Sequence, residues 1–262
     1  MKNFMVANLR GKGRYTESSI TTLLKAQIEN SLEVGWLNKD IVLLTNFPFE
    51  FMGVKARVLD LNKFCWTGSK MFGLQYYFEN NDVGDDVIWS HDLDAWQNAW
   101  FDCPEFKDVG GSEYSRPKFN GGSIFWKKQS KDIMDEVINR LKKDKLKKEE
   151  PTLNEVFKSE EYKNRVTILN NTYNVGCSGY VERYERSIKP IKVCHFHPYN
   201  RIAWETHCLD RNGLEERGIT IRLEKLLRKY YSGLATELSE QGAQRAQEKK
   251  EARQKHKEKV LK

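Results

Sequence analysis

Two carboxylates in D-x-D spacing, Asp92 and Asp94, directly follow the apolar run Val87-Ile88-Trp89 and the pair Ser90-His91. In extended backbone, residues two apart point the same way. Both carboxylates can therefore address one hard cation or its water shell, with diphosphate oxygens in the remaining positions. Spacing alone is weak evidence, because 13 Asp in 262 residues produce about 0.6 such pairs by chance, and a solvated turn is the plain alternative. Position strengthens it. This is the only D-x-D in the chain, it ends an expected strand, and ligand sites of open α/β sheets collect at the carboxyl ends of strands. His195 and His197 straddle Phe196 at the end of a later expected strand. An imidazole beside two carboxylates shifts preference from magnesium alone toward manganese. The alternative is one hydrogen-bonded core histidine and one surface histidine.

Other residues suit the same chemistry. Asn120-Gly121-Gly122 offers a side-chain amide beside backbone with no Cβ to obstruct a ligand, or an ordinary β-bulge. Glu149-Glu150 supplies a carboxylate for an acceptor hydroxyl or for a cationic sugar centre. With lysines close by, the pair also reads as plain charged surface. Arg10, Lys12 and Arg14, with Lys70, would balance a diphosphate, or be solvated loop residues.

The elements that must carry these groups alternate between strand and helix. Phe4–Leu9 reads as a strand running into the glycine-rich basic loop Arg10–Arg14, and Ile20, Leu23, Leu24, Gln27, Ile28 and Leu32 recur at helical spacing. Ile41–Thr45 and Lys55–Leu61 are strand signals, Trp66–Phe78 is a helix carrying Lys70, and Asp86–Trp89 is the strand before the D-x-D. Phe119–Trp126 reads as a strand, Lys131–Leu141 as an amphipathic helix, Lys142–Glu150 as a charged connector and Leu153–Phe157 as a short helix. Arg165–Leu169 and Ile191–Phe196 are further strands, an Asn-rich turn spans Asn170–Asn174, and a helix runs from Ile219 to Leu238. The expectation is an α/β fold with helices flanking a sheet.

The formal charge is +7, from 44 Lys plus Arg against 37 Asp plus Glu, which first suggests a nucleic-acid partner. Residues 241–262 hold eight basic side chains and three Glu, a net of +5, so the first 240 residues carry +2. The basicity is largely a tail. Hydrophobic residues at 39% and aromatics at 12% exclude wholesale disorder of the body. No apolar run approaches 18 residues, so no membrane span and no integral membrane association is expected. The first 15 residues lack a signal-peptide pattern, which places the protein in the cytoplasm of a bacterial or phage-infected cell rather than outside it. Five scattered Cys without C-x-x-C read as reduced thiols.

Taken in order, these pieces resemble a GT-A fold glycosyltransferase, most like the retaining family-eight type. The likeness spans residues 1–205 and rests on Phe4–Arg14, Ser69-Lys70, Val87–Asp94, Phe119–Ile124, Glu149–Asn154 and His195-Phe196. It implies a GT-A catalytic domain over residues 1–210, followed by a C-terminal helix and basic tail over 211–262. It also implies that Asp92, Asp94 and His195 hold Mn2+ (or Mg2+) against the diphosphate of a UDP-like nucleotide sugar. Ala7, Asn8 and Arg10 would contact the nucleotide, Lys70, Asn120 and Gly121 the donor sugar or phosphates, and Glu149 or Glu150 the reacting region. The family commonly has Asp-Gln-Asp before Leu-Asn, where this chain has Glu149-Glu150-Pro151, and His197-Pro198-Tyr199-Asn200 replaces its Gly and Lys-Pro-Trp, so His197 is a second metal candidate. The acceptor expected from the basic tail is a hydroxymethylated base in DNA, with a glycan as the alternative. A metal-dependent nuclease is the competing class.

Overall fold

The computed structural model describes residues 1–9, 16–60, 68–113, 118–144, 148–176, 180–196 and 218–234. At its centre β1 (Lys2–Ala7) runs parallel to β2 (Ile41–Thr45) on one side and to β6 (Ile88–His91) on the other. All five residues of β2 are buried, which is why it reads as a continuous apolar run: a parallel strand covered on both faces has no polar side to alternate.

Among the described residues the main sheet has seven strands in the order β10-β8-β9-β6-β1-β2-β5. Its remaining members are β5 (Arg57–Val58), β8 (Val109–Glu113), β9 (Phe119–Trp126) and β10 (Val166–Leu169). β9 is antiparallel to both β6 and β8, with Ser90 opposite Ile124 and His91 opposite Ser123. A second sheet, in the order β11-β12-β7, joins β11 (Val175–Gly176) and β12 (Val193–His195) to β7 (Ala95–Gln97). β3 (Glu50–Phe51) and β4 (Val54–Lys55) form a small hairpin.

Helices cover the main sheet on both faces. α1 (Glu17–Val34) begins at Thr16, whose side chain accepts from the Ser19 N–H, and ends at Gly35, whose φ of 112° suits glycine. Its Ile20, Leu24 and Ile28 pack with Met5, Leu43 and Trp89. The other face carries α2 (Ser69–Asn80), α3 (Lys131–Lys143) and α4 (Glu149–Phe157), which close over Phe4, Leu44, Ile124 and Trp126. Gly73 lets α2 approach closely, since a Cβ there would lie 2.9 Å from Val6.

Residues 221–234 form α6, which follows the short α5 (Tyr180–Arg186). Leu223, Leu227 and Tyr231 of α6 pack with Trp96, Val175, Cys194 and Phe196, so this helix sits directly against the strands that carry the D-x-D and His195. Residues 235–262, with the basic tail, lie outside the described residues, as do Arg10, Lys12, Arg14 and His197.

Several boundaries differ from the sequence reading. The first strand lies two residues earlier, at Lys2–Ala7 instead of Phe4–Leu9. The charged connector is shorter than expected, because α3 extends to Lys143 and α4 already starts at Glu149. Acidic side chains are favoured in a first helical turn, and Pro151 is tolerated there because the N–H it lacks has no helical partner. β7 has three residues, and β8 reads Val-Gly-Gly-Ser-Glu; neither is long or alternating enough to signal a strand.

Candidate active site

The Asp92-Leu93-Asp94 turn leaves the carboxyl end of β6 and enters β7. Asp92 N–H donates to the Gly122 carbonyl at 3.0 Å, which ties the turn to β9. β7 pairs antiparallel with β12, and this register sets Ala95 opposite His195. Asp94 and His195 thereby become neighbours. His195 Nε2 lies 3.0 Å from Asp94 Oδ1 and 3.9 Å from Asp92 Oδ2. His195 is 2% exposed and Asp94 is 9% exposed.

The other side of the imidazole is held by β9. His195 Nδ1 is 3.2 Å from Asn120 Oδ1, which also accepts from the Gly122 N–H at 2.9 Å and from Asn174 Nδ2 at 2.6 Å. Asn120 Nδ2 donates to Glu150 Oε2 at 2.9 Å. With Nδ1–H directed to Asn120, Nε2 is the ring atom turned to the two carboxylates, the arrangement in which an outer partner fixes a histidine ligand. Gly122 is required here because a Cβ would overlap the His195 ring.

Lys70, in the first turn of α2, crosses to the same place. Its Nζ donates to Asp92 Oδ1 at 2.6 Å and to the Gly121 carbonyl, and lies 3.5 Å from Glu149 Oε1. Burial would discharge this ammonium, but Asp92 and Glu149 outweigh it and raise its pKa, so it stays charged. Burial raises the Glu149 carboxyl pKa, opposed by Lys70. For His195, burial favours the neutral ring and the Asp94 carboxylate outweighs it, giving a net rise. His91, directly before the D-x-D, is buried enough that its pKa falls to about 4, and it is neutral at physiological pH.

Asp92, Asp94 and His195 each turn one ligand atom inward, and these atoms all lie within 4.8 Å of one another. Around a cation with ligands at about 2.1 Å, adjacent ligand atoms are ~3.0 Å apart and opposite ones ~4.2 Å. The observed 3.0 and 3.9 Å separations fall inside that range, and the chemistry of two carboxylates with one imidazole suits Mn2+ or Mg2+. The residues present fit such an ion.

The structure thus brings together Asp92, Asp94, His195, Lys70, Asn120, Gly121, Glu149 and Glu150. The two glutamates differ. Glu149 faces Lys70 and Gly121, whereas Glu150 is held by Asn120 and by Lys118 at 2.9 Å. Ala7 is buried at the end of β1, and the buried Oδ1 of Asn8 beside it finds no partner among the described residues.

Sequence reasoning missed Asn174, whose Oδ1 is likewise buried without a partner among the described residues. It placed Asn154 only within the Leu-Asn motif and not its contact: the Asn154 amide pairs with both backbone groups of Phe119 at 2.7 and 2.8 Å and aligns α4 with β9. The Asn-rich turn was the one available signal for Asn174.

No protein-family profile and no curated protein sequence matches this chain. Among solved structures, it is similar to the galactosyltransferase LgtC in complex with donor and acceptor sugar analogs, with a TM-score of 0.55 and 13% identity over 91% of this chain and 96% of that one. It is also similar to the bifunctional glycosyltransferase WbbM, with a TM-score of 0.52 and 13% identity over 87% of this chain and 51% of that one. A third likeness is to the glycosyltransferase GlyE of Streptococcus pneumoniae, with a TM-score of 0.50 and 14% identity over 89% of this chain and 64% of that one. The shared feature is the fold: a mixed, largely parallel GT-A sheet flanked by helices.

Proposed function

We propose that this chain is a metal-dependent glycosyltransferase that moves a hexosyl or pentosyl group from a nucleotide-diphosphate donor, a UDP-sugar, to a hydroxyl acceptor. The observation that carries the reading is the convergence of Asp92, Asp94 and His195 on one point beside Lys70 and Glu149, on a GT-A fold. Asp92, Asp94 and His195 would hold Mn2+ (or Mg2+), which when bound neutralises charge building on the departing diphosphate. Lys70 holds Asp92 Oδ1 and leaves Oδ2 on the side of His195. Its own positive charge faces the same region. Gly121 has no side chain where Glu149, Lys70 and Leu153 converge, and that space suits the donor sugar. There the Glu149 carboxylate would face either the cationic sugar centre or the acceptor proton, with Glu150 steadying Asn120 behind it.

For the acceptor we propose a hydroxymethylated base in DNA. The support is electrostatic: the net +5 of residues 241–262 suits a polyanion. Duplex binding titrated with salt, for the full chain and for a chain ending at residue 240, tests it. A salt-dependent affinity that drops on truncation is expected, and no affinity in either protein points to a glycan acceptor instead.

Donor use is tested by incubating the protein with nucleotide sugars and Mn2+ and following hydrolysis or transfer. Thermal stabilisation by a nucleotide sugar with Mn2+ separates this reading from a metal-dependent nuclease, since a ligand that binds the native state raises its stability by mass action.

A further inference from the structure

The carbonyls of Asp92, Leu93 and Asp94 are all engaged, the first by its chain neighbours and the other two by distant segments. The Asp92 carbonyl accepts from the Ala95 N–H at 3.0 Å and lies 2.9 Å from His91 Nδ1, the Leu93 carbonyl accepts from Gln27 Nε2 of α1 at 3.0 Å, and the Asp94 carbonyl accepts from the Phe196 N–H at 2.9 Å. His91 and Gln27 are each 1% exposed, and neither is a metal-ligand candidate.

Only an N–H can sit that close to a carbonyl, so His91 carries its hydrogen on Nδ1. Its Nε2 is 2.7 Å from the side-chain amide of Asn3, which in turn meets Ser31 Oγ at 2.9 Å. Turning the Asn3 amide end for end preserves such distances and sets its NH2 toward the ring; the Ser31 hydroxyl, which otherwise donates to the Gln27 carbonyl at 2.7 Å, then donates to the Asn3 oxygen instead. The ring also stacks on Trp89, 4.2 Å between centroids at 23°.

We infer that His91 and Gln27 are positioning residues for the metal centre: through the backbone carbonyls of Asp92 and Leu93 they hold the turn at the pitch that presents both carboxylates to one ion. This rests on reading Asp92, Asp94 and His195 as a metal site. A polar Gln within the apolar face of α1, and a His at the end of a buried strand, are otherwise costly placements, and both point their donors at this one turn.

The test is Mn2+ titration of the full chain followed by electron paramagnetic resonance, with melting temperatures measured in parallel. His91→Leu keeps an apolar body against Trp89 and loses the donor. His91→Asn places an N–H where Nδ1 was. Gln27→Met keeps length and loses the donor. The expected result is Mn2+ affinity at least about tenfold weaker in His91→Leu, in keeping with the effect of outer-shell partners. Gln27→Met should be several-fold weaker, and His91→Asn should recover to within about threefold of the parent even though it melts no higher than His91→Leu. Metal affinity and thermal stability would then rank the two His91 variants in opposite orders. Unchanged affinity in folded His91→Leu and Gln27→Met, or His91→Asn as weak as His91→Leu, overturns the inference while leaving the metal site intact. A parent chain that binds no Mn2+ overturns both.

Discussion

His195 Nε2 stands 3.0 Å from Asp94 Oδ1, although 101 residues separate the two in the chain. The contact joins two groups whose protonation is linked to each other and to any cation between them.

His195 has its pKa raised above the ordinary value of 6.5. A raised imidazole pKa in the folded state stabilises the metal-free protein below about pH 6.5, and that contribution fades as pH rises through the folded-state value. A cation needs the Nε2 lone pair and so competes with the proton. Mn2+ affinity should therefore climb with pH until His195 is deprotonated, and binding below that point should release about one proton. Calorimetry in buffers of different ionisation enthalpy measures this, and binding with no proton release would remove His195 from the ligand set.

Two adjacent glycines should respond differently to alanine. At Gly122 a Cβ collides with the His195 ring, so Gly122→Ala should cost about 1–3 kcal/mol, as overpacking does, and weaken Mn2+ binding. At Gly121 a Cβ would meet Leu153, Glu149 and Lys70 at 3.6–3.8 Å, which is ordinary contact. Gly121→Ala should hold stability within about 0.5 kcal/mol and lower turnover by filling the space assigned to the donor. Thermal melts and initial rates on both variants check the contrast.

Removing Lys70 leaves Asp92 and Glu149 without their cation. Breaking a buried pair costs roughly 3–5 kcal/mol. Because the Asp92 side chain is 40% exposed, water screens part of the loss, and Lys70→Met should cost about 1–3 kcal/mol. Activity should fall on the order of 100-fold or more, as when a charge-stabilising donor is deleted. Because Lys70 opposes the burial-driven rise of the Glu149 pKa and also lowers that of His195, its loss should in addition move the acid limb of the pH profile to higher pH.

Helix α6 should matter to the strands it packs against. Tyr231 Oη accepts from Trp96 Nε1 at 2.8 Å and donates to the Phe196 carbonyl at 2.7 Å, bridging the segments after Asp94 and after His195. Tyr231→Phe leaves both buried partners wanting, a cost of about 1–3 kcal/mol, which should lower the melting temperature by roughly 2–4 °C per kcal/mol.

What could be read from the sequence follows a physical pattern. β2 falls on Ile41–Thr45, as its apolar run implies, and β9 on Phe119–Trp126, because fully buried strands announce themselves by composition. The grouping of Asp92, Asp94 and His195 was expected from type, spacing and order, and their ligand atoms do come together. Glu149 and Glu150 looked like one feature, yet successive helical residues point about 100° apart, so one meets Lys70 and the other Asn120 and Lys118. The Asn-rich turn and the helical spacing mark the places of Asn174 and Gln27 but not their partners. Asn174 reaches Asn120 across 54 residues and Gln27 reaches Leu93 across 66, and pairings of that range belong to the topology and not to any window of sequence.

The measurement that bears most directly on the proposed activity is Mn2+-dependent sugar release or transfer from a panel of UDP-sugars by the parent chain and by the doubly substituted Asp92→Ala, Asp94→Ala protein. The account predicts turnover of at least one donor by the parent that chelation abolishes, and loss of activity in a variant that still folds. A double variant that remains fully active would contradict it.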